Sequence, residues 1–398
     1  RERARSTLLS YTTVFGSGRT GMRAGGWRYQ PTRPQFEGFG RGGSNQWGID
    51  FNERGHMFLT HCRSAWGGGP TTYVVKNGHY WNQSNSRHAP FVAAGQAGWG
   101  KAFRNFLPSS ARYGHGEGGA GKAGSRALYG GHSHVGTMIY LGGNWPEKYR
   151  DQLFTHNLHG RQMNRQINQR HGSGYETVHA GYDQLYVADT RFMGVELKYG
   201  PDGAVYMIGW QDQQSCHNTR EEIWDRSDGG IYRMAWIETY EPRAVDLHKS
   251  KTSSLVAMQF HRNEWFVRTA RRVLQERGDR AAIPLLEMAL RGTTDPPKVL
   301  RAMWTLHALG AKLPLSLLGH EDESVRGWAI QLMAEARTIP PAMFLQLCER
   351  DPSAMVRLAL ASALPGLEAS VRRSEDGTRL NSSHKPISYA VFCLQKKT

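Results

Sequence analysis

Apolar and polar positions alternate with a period of two along the first part of the chain, and turn residues interrupt the alternation. Ile49 and Phe51 alternate with polar neighbours, Asn52–Gly55 supply a turn, and Met57–Leu59 give a return strand. This pattern predicts an antiparallel hairpin. A second hairpin is predicted over residues 194–208, where Gly-Pro-Asp-Gly at 200–203 forms the turn. Its proline presets φ, and its glycine accepts a positive φ.

The two hairpins indicate a repeat. Gly48 and Gly194 are 146 residues apart, which is about three repeats at the 40–50-residue period of propeller blades. A weaker copy is predicted over residues 149–155. The chain has 46 glycines and 11% aromatic residues, a composition that favours short strands joined by glycine-rich turns. Residues 1–240 are therefore predicted to form an all-β propeller that is incomplete at its N-terminus.

The periodicity becomes helical after a polar segment, residues 241–254, which holds Pro242 and is predicted to be a linker. Over residues 255–371, four segments align on an arginine followed by small and apolar residues, with spacings of 33, 25 and 31 residues: Arg268, Arg301, Arg326 and Arg357. The segments Asp322–Arg326 and Asp351–Arg357 place an acidic residue and a Pro or Ser at two predicted helix starts. The pattern resembles HEAT repeats, an α-solenoid, and one irregular helical bundle is the alternative. The predicted fold class is multidomain, a propeller followed by an α-solenoid.

The last segment fits neither domain. Residues 372–398 resemble translated sequencing-adapter DNA, so we expect a non-native tail, and we expect the natural protein to continue past about Val371 with another sequence. The chain starts at Arg1 in a polar stretch, so a fragment is expected. No stretch of about 18 apolar residues is present, and no membrane span is predicted.

The cysteines and the charge narrow the possible partners. Four separated cysteines exclude a CxxC zinc knuckle and a CxxCH haem attachment within this chain, whereas a Cys62–Cys216 disulfide stays open. The formal charge is +16. A polyanion partner is one interpretation, but the arginines are dispersed without a dense basic run, so a scattered basic surface is favoured and no nucleic acid is expected.

A set of motifs between residues 132 and 233 is specific when taken together. It comprises His132-Ser-His-Val-Gly onward to Phe154, Asn157-Leu-His-Gly-Arg161, Phe192–Gly203, Trp210-Gln-Asp212 with Cys216-His217, and Trp224–Arg233. Together these resemble the membrane-bound dehydrogenases of planctomycetes and related bacteria. Those proteins join a propeller similar to glucose/sorbosone dehydrogenases to HEAT repeats, usually followed by a c-type cytochrome domain. The resemblance covers roughly residues 12–370.

The resemblance implies an exported, periplasmic oxidoreductase that acts on sugars or other alcohols. Related soluble glucose dehydrogenases use pyrroloquinoline quinone and calcium, so both are expected cofactors. Electrons would pass to a cytochrome c domain or protein. Haem would lie in a domain absent from this chain, and any membrane association would come through segments outside it.

Nine residues are candidates for the chemistry. Alcohol oxidation needs a base near the hydroxyl proton, and histidine titrates near neutrality. The predicted catalytic residues are His132, His134 and His159, the predicted cofactor-binding residues are Asn157, Arg161 and Arg191, and the predicted metal ligands are Asp189, Asp212 and His217. Asn157 also offers an oxygen to calcium. The alternative is structural: hydrogen-bonded histidines in blade packing, capping Asx turns, and salt bridges between blades.

A second function stays open. The chain could be a non-catalytic scaffold whose propeller and HEAT array bind glycans or proteins, because propellers serve both uses. Convergence of the candidate residues at one place would favour the enzyme, whereas scatter over several faces would favour the scaffold. Five tryptophans could stack on sugar rings, although core packing is the favoured role for most of them: Trp27, Trp47, Trp66, Trp81 and Trp145.

Overall fold

The computed structural model describes residues 25–30, 35–41, 46–61, 71–78, 134–158, 161–180, 183–189, 191–211 and 228–367. In these ranges, strands occupy the chain up to residue 234, and α-helices occupy it from residue 252. The described protein is thus a β part followed by an α part, as the change of periodicity predicts. The predicted tail, residues 372–398, lies outside the described ranges.

The β part consists of four antiparallel sheets in the described ranges. The first sheet pairs β1 (Gly25–Gln30) with β2 (Gln35–Arg41), and the second orders β3 (Gln46–Phe51), β4 (Met57–His61) and β5 (Thr71–Val74). The third contains β6 (His134–Ile139), β7 (Leu153–Asn157), β8 (Gln162–His171), β9 (Gly174–His179) and β10 (Leu185–Tyr186). The fourth orders β11 (Phe192–Tyr199), β12 (Val205–Gln211) and β13 (Gly229–Met234).

Both predicted hairpins are confirmed. β3 pairs with β4, placing Asp50 opposite Phe58, and the turn between them is closed by the Gly55 N–H, which donates to the Asn52 carbonyl at 2.9 Å. β11 pairs with β12 across the Gly-Pro-Asp-Gly turn. The weaker copy predicted over residues 149–155 is not a hairpin, because it runs from a 3-10 turn at Glu147–Tyr149 into β7.

The third sheet packs between the second and the fourth, with β6 against both β3 and β11. Glycines make this approach possible. A Cβ on Gly48 of β3 would lie 2.4 Å from the Thr137 backbone nitrogen, and one on Gly136 of β6 would lie 2.9 Å from the Glu196 Cα. Gly136 also has φ +62°. Gly48, Gly136 and Gly194 all sit at register shifts in their strands, but their intervals of 88 and 58 residues do not match three equal repeats.

The α part contains seven helices in the described ranges. They are α1 (Thr252–Ala257), α2 (Glu264–Arg277), α3 (Ala282–Arg291), α4 (Pro296–Ala308), α5 (Glu323–Glu335), α6 (Pro341–Arg350) and α7 (Ala354–Ala363). The four aligned arginines lie on α2, α4, α5 and α7, as their spacing predicts. α1 begins within the predicted linker. None of the described helices is long and apolar enough to cross a bilayer.

Capping side chains set three of the described helix starts, those of α2, α5 and α7. Asp322 caps α5 by accepting from the backbone N–H groups of Ser324 and Val325. For α7 the cap is Ser353, which accepts from the N–H groups of Met355 and Val356. Asp351, which also lies at this predicted start, accepts from the Ser353 N–H at 2.8 Å. Each cap satisfies amide groups that would otherwise lack a partner within the helix.

The helices pack against the turn ends of the sheets. Trp328 on α5 donates its indole N–H to the Arg54 carbonyl at 2.8 Å, in the β3–β4 turn. Asn263, the N-cap of α2, donates to the Gly200 carbonyl at 3.0 Å, in the β11–β12 turn. The N–H of Glu264 donates to Leu141, just after β6, at 3.0 Å. The opposite end of the sheets, where β3, β6 and β11 begin, is therefore the end turned away from these helices.

Candidate functional site

Polar side chains collect at the end of the third and fourth sheets where β6 and β11 begin. We call this set the polar rim. It consists of His134, Asn157, Arg161, Gln162, Asp189, Arg191, Gln211, Asp228 and Tyr232. Antiparallel pairing explains the grouping. In the third sheet, β6 and β8 begin where β7 ends, and in the fourth sheet β11 begins where β12 ends.

One half of the polar rim is buried. His134, the first residue of β6, lies opposite Asn157 on β7, which in turn lies opposite Gln162 on β8. Their exposed fractions are 0%, 1% and 3%. The Asn157 amide donates to Gln162 Oε1 at 3.3 Å, and His134 Nδ1 lies 3.1 Å from Thr155 Oγ1. This half is a hydrogen-bonded polar ladder inside the sheet.

The other half is exposed and charged. Arg161 has φ +55°, donates to the Ala188 carbonyl at 3.3 Å, and lies 5.7 Å from the centroid of the Tyr186 ring. Arg191 pairs with Asp189 at 3.4 Å and with Asp228 at 3.1 Å. Charged side chains of both signs are thus held at the entry to β11 and are accessible to a polar ligand.

Gln211 and Tyr232 extend this charged network into the fourth sheet. When the Gln211 amide is oriented to suit both neighbours, its nitrogen donates to Asp228 at 2.7 Å and its oxygen accepts from Tyr232 Oη at 2.9 Å. Phe192 supports the Tyr232 ring, with centroids 5.8 Å apart. The network therefore orders the donors and acceptors along the rim before any ligand binds.

Electrostatics favour the ionised forms of the exposed pair. The Arg191 backbone N–H donates to Asp189 and, with the Arg191 and Arg161 guanidinium groups, lowers the pKa of Asp189. The same pairing raises the pKa of Arg191. His156, whose ring packs against Phe192, behaves differently: burial lowers its pKa to about 4. It is therefore neutral near pH 7 and serves as a packing residue between the third and fourth sheets.

The described residues do not bring together the cluster of acidic side chains that would mark a calcium site. No group of three or more His, Cys, Asp or Glu residues with metal-binding geometry occurs within the described ranges. Asp189, one of the predicted ligands, is flanked by two arginines, whose charge opposes a divalent cation. The chemistry of Arg161 does fit the carboxylates of a quinone, because its fork of five N–H donors makes one contact to Ala188 and could bind a carboxylate with others.

Five of the nine candidate residues can be placed. His134, Asn157, Arg161, Asp189 and Arg191 all lie on the polar rim, and their proposed roles remain predictions. The other four lie outside the described residues: His132, His159, Asp212 and His217. Cys62 and Cys216 do too, so the disulfide also stays a prediction.

Four members of the polar rim were not among the residues predicted from the sequence. Gln162 and Gln211 are adjacent to predicted site residues, which is a weak hint. Asp228 and Tyr232 fall within the motif Trp224–Arg233, but nothing in that motif indicates a partner for Arg191. Of the five tryptophans, Trp145 is buried at 4% exposure, Trp27 and Trp47 are each 51% exposed, and Trp66 and Trp81 lie outside the described residues.

Comparisons with known proteins give a structural similarity and a family. No curated protein matches the chain in sequence. A crystal structure from Thermus thermophilus, assigned as an oxidoreductase (glucose dehydrogenase), is similar over 51% of this chain and 48% of its own, with 17% identity and a TM-score of 0.29. The similar region thus spans about half of that protein. The family model described as Domain of unknown function (DUF7133) matches residues 9–235. Because this match covers more than half of the chain, the protein belongs to the DUF7133 family.

Proposed function

We propose that this chain is part of an exported β-propeller oxidoreductase that oxidises a sugar or other alcohol at the polar rim. The observation that carries the proposal is the collection of His134, Arg161, Asp189 and Arg191 at one end of adjacent sheets, opposite the helix-docked end. The motif resemblance supplies the reaction class. We also propose that the four sheets are consecutive blades, that the helices are HEAT-like, and that a c-type cytochrome accepts the electrons.

In this proposal, each residue of the polar rim has its own role. Asp189, Arg191, Asp228 and Gln211 offer charged and amide groups that would bind and orient the hydroxyl groups of a substrate. His134 would accept the hydroxyl proton, and the oxidised carbon would lose a hydride in the same reaction. Arg161 would hold a carboxylated quinone, which when bound supplies the oxidant. A bound calcium ion is not assigned to the described residues.

The test is turnover by the purified full chain. We expect dye reduction when pyrroloquinoline quinone, calcium and a panel of sugars and alcohols are supplied. Arg161→Ala should raise the quinone concentration needed for half-maximal rate by about tenfold or more, because a charge-assisted bidentate contact is lost. Arg272→Ala is the control, since Arg272 is an exposed arginine on α2 with 61% side-chain exposure. An absence of dye reduction across the whole panel contradicts the proposal.

A non-catalytic scaffold is the second candidate, and the burial of His134 favours it. A ring with 0% exposure is already enclosed by protein. If the scaffold proposal holds, glycans or proteins would bind at the exposed half of the polar rim without turnover. Calorimetry with a glycan panel distinguishes the two, because binding that Arg191→Ala abolishes, together with no dye reduction, supports the scaffold.

A further inference from the structure

Two buried N–H donors lie close together between the helices and the β3–β4 turn. Arg271 on α2 donates its Nε–H to Thr305 on α4 at 3.2 Å, and its guanidinium lies 5.2 Å from the centroid of the Trp304 ring. Arg271 Nη2 and Trp304 Nε1 are both buried, and neither has a hydrogen-bond partner among the protein groups that the structure describes. Because a buried N–H without a partner is costly, the two donors require an acceptor.

Arg271 is also a buried positive charge without a carboxylate of its own. Two other arginines close to it are paired. Arg268 pairs with Asp50 at 2.7 Å, and Arg301 pairs with Glu264 at 2.6 Å. Within the described ranges, Arg271 makes no such salt bridge. The junction of the helices and the second sheet thus holds one positive charge more than its carboxylates balance.

The surroundings of Arg271 favour an anion over a water molecule as the acceptor. Burial lowers the pKa of the Arg271 guanidinium to about 10, and the charge of Glu264 opposes the fall. The charges of Arg268 and Arg301 add to it. The guanidinium still carries its charge near pH 7. Since a counter-charge stabilises a buried charge more than a neutral dipole does, one small monovalent anion would balance the excess.

We infer that Arg271 Nη2 and Trp304 Nε1 form a binding site for a small monovalent anion, such as chloride or formate. A cavity of about 800 Å³ between the first sheet and the C-terminal ends of α4 and α5 offers the route from solvent. Gln275, which lines this cavity, lies one turn along α2 from Arg271. His307, which also lines it, lies one turn along α4 from Trp304.

The anion would strengthen the contact between the helices and the second sheet. Trp304 packs against the β3–β4 turn, where a Cβ on Gly55 would lie 2.3 Å from Trp304 Cζ2. A counter-charge at Arg271 also offsets its repulsion of Arg268, whose pairing with Asp50 joins α2 to β3. Anion binding is therefore expected to stabilise the folded protein by an amount that grows with the anion concentration.

The test measures urea unfolding midpoints of the full chain against chloride at constant ionic strength. Chloride replaces gluconate, a larger anion, so that general screening stays the same. At about ten times its dissociation constant, chloride should raise the ratio of folded to unfolded protein about elevenfold. Formate is the second series. A larger gain with formate than with chloride identifies an organic carboxylate as the preferred ligand, and a smaller gain identifies a halide.

Three variants separate a specific site from a general salt effect. Arg271→Met should abolish the gain, and in gluconate it should be at least as stable as the wild type, because it no longer buries an unpaired charge. Trp304→Phe keeps an aromatic ring and removes only the second donor, so it should need about three- to tenfold more chloride for the same gain. Arg272→Met, at an exposed neighbour with 61% side-chain exposure, is the matched control and should respond to chloride as the wild type does.

A second readout does not depend on unfolding. The 35Cl NMR line of chloride should be broader with the wild type than with Arg271→Met at equal protein concentration. Wild-type stability that changes with neither chloride nor formate overturns the inference, since water would then be a sufficient acceptor. The same gain with chloride in Arg271→Met as in the wild type overturns it too.

Discussion

Asp151 is a half-buried carboxyl in a left-handed backbone conformation, with φ +59°. It accepts a hydrogen bond from the Glu53 N–H at 2.9 Å and so holds the β3–β4 turn that packs against the helices. Burial raises the pKa of Asp151 to about 7, and the charge of the Glu53 carboxylate adds to the rise, while the hydrogen bond from the Glu53 N–H and the charges of Arg150 and Arg54 oppose it. The folded protein therefore favours the protonated form.

We predict that Asp151 makes stability depend on pH. Because the pKa is higher in the folded state than in the unfolded chain, the contribution is fully present below about pH 4 and is lost as pH rises through about 7. The loss is at most about 4 kcal/mol, at 1.36 kcal/mol per pKa unit. Asp151→Asn keeps an acceptor oxygen and tolerates the positive φ, so it should not show the loss. Urea unfolding between pH 4 and 8 measures the difference.

The control is Asp295→Asn, at a carboxylate whose side chain is 45% exposed. The stability gained by Asp151→Asn over the wild type should grow steadily across this pH range. A difference that is constant with pH, or that shrinks as pH rises, would show that Asp151 is not preferentially protonated in the folded protein.

At the residue scale, the sequence indicates which polar side chains belong to the candidate site better than it indicates which residues they contact. The motifs pointed to His134, Asp189 and Arg191, and these residues do share one end of the sheets. Thr155, which contacts His134, has no motif of its own, because its role depends on a pairing across 21 residues. The burial of His134 could not be predicted either, since it arises from the stacking of sheets rather than from local sequence.

Among the elements, the first strands of three sheets share a glycine at a register shift. Gly48, Gly136 and Gly194 occupy corresponding places in β3, β6 and β11. A Cβ on Gly194 would lie 2.3 Å from His156 Nδ1. These positions bring the strands close enough for one sheet to pack directly on the next, and a side chain there would separate them.

We predict that Gly48→Ala destabilises the protein by about 3 kcal/mol, because the added methyl group must displace the backbone of Thr137. Gly26→Ala is the matched control in β1, where a Cβ would meet nothing within 4 Å. We expect it to change the free energy of unfolding by less than about 0.5 kcal/mol. Denaturant midpoints measure both variants, and equal effects would disprove the close approach of β3 and β6.

Hairpins were predictable because their signals are local. Alternation and turn residues fix β3–β4 and β11–β12 within a few positions. The repeat length was not predictable, since the intervals between the three glycines differ. The start of α7 was predictable from local signals too, because the sequence places an acidic residue and a Pro or Ser there, and Ser353 caps the helix while Asp351 accepts from the Ser353 N–H.

For the whole molecule, a buried charge network joins the sheets to the helices. Asp50 on β3 accepts from the Ile139 N–H at 2.8 Å and pairs with Arg268 on α2 at 2.7 Å. Glu264 pairs with Arg301 on α4 at 2.6 Å, with exposures of only 6% and 5%. Arg268 and Arg301 belong to the aligned arginines, yet their partners in the sheets and on α2 could not be predicted from a helical repeat.

We predict that this network couples the two parts of the chain. A double-mutant cycle of Asp50→Asn and Arg268→Met should give a coupling free energy of about 1–3 kcal/mol. Asp50→Asn should lower the denaturant midpoints of the helical and the sheet signals together. The control cycle uses Arg272 and Glu276, an exposed pair on the same helix at 3.6 Å, which should give less than about 0.5 kcal/mol. Equal couplings would mean that the Asp50–Arg268 pair does not join the sheets to the helices.

The central claim is that the polar rim, and not the helical array, is the functional face of the molecule. The most direct measurement compares kcat/KM for dye reduction in Arg191→Ala and Arg272→Ala of the full chain. The account predicts a loss of at least about 100-fold in Arg191→Ala, since removing one charge-stabilising donor from an active site costs rate on that scale, and wild-type activity in Arg272→Ala. Undiminished activity in Arg191→Ala would contradict it.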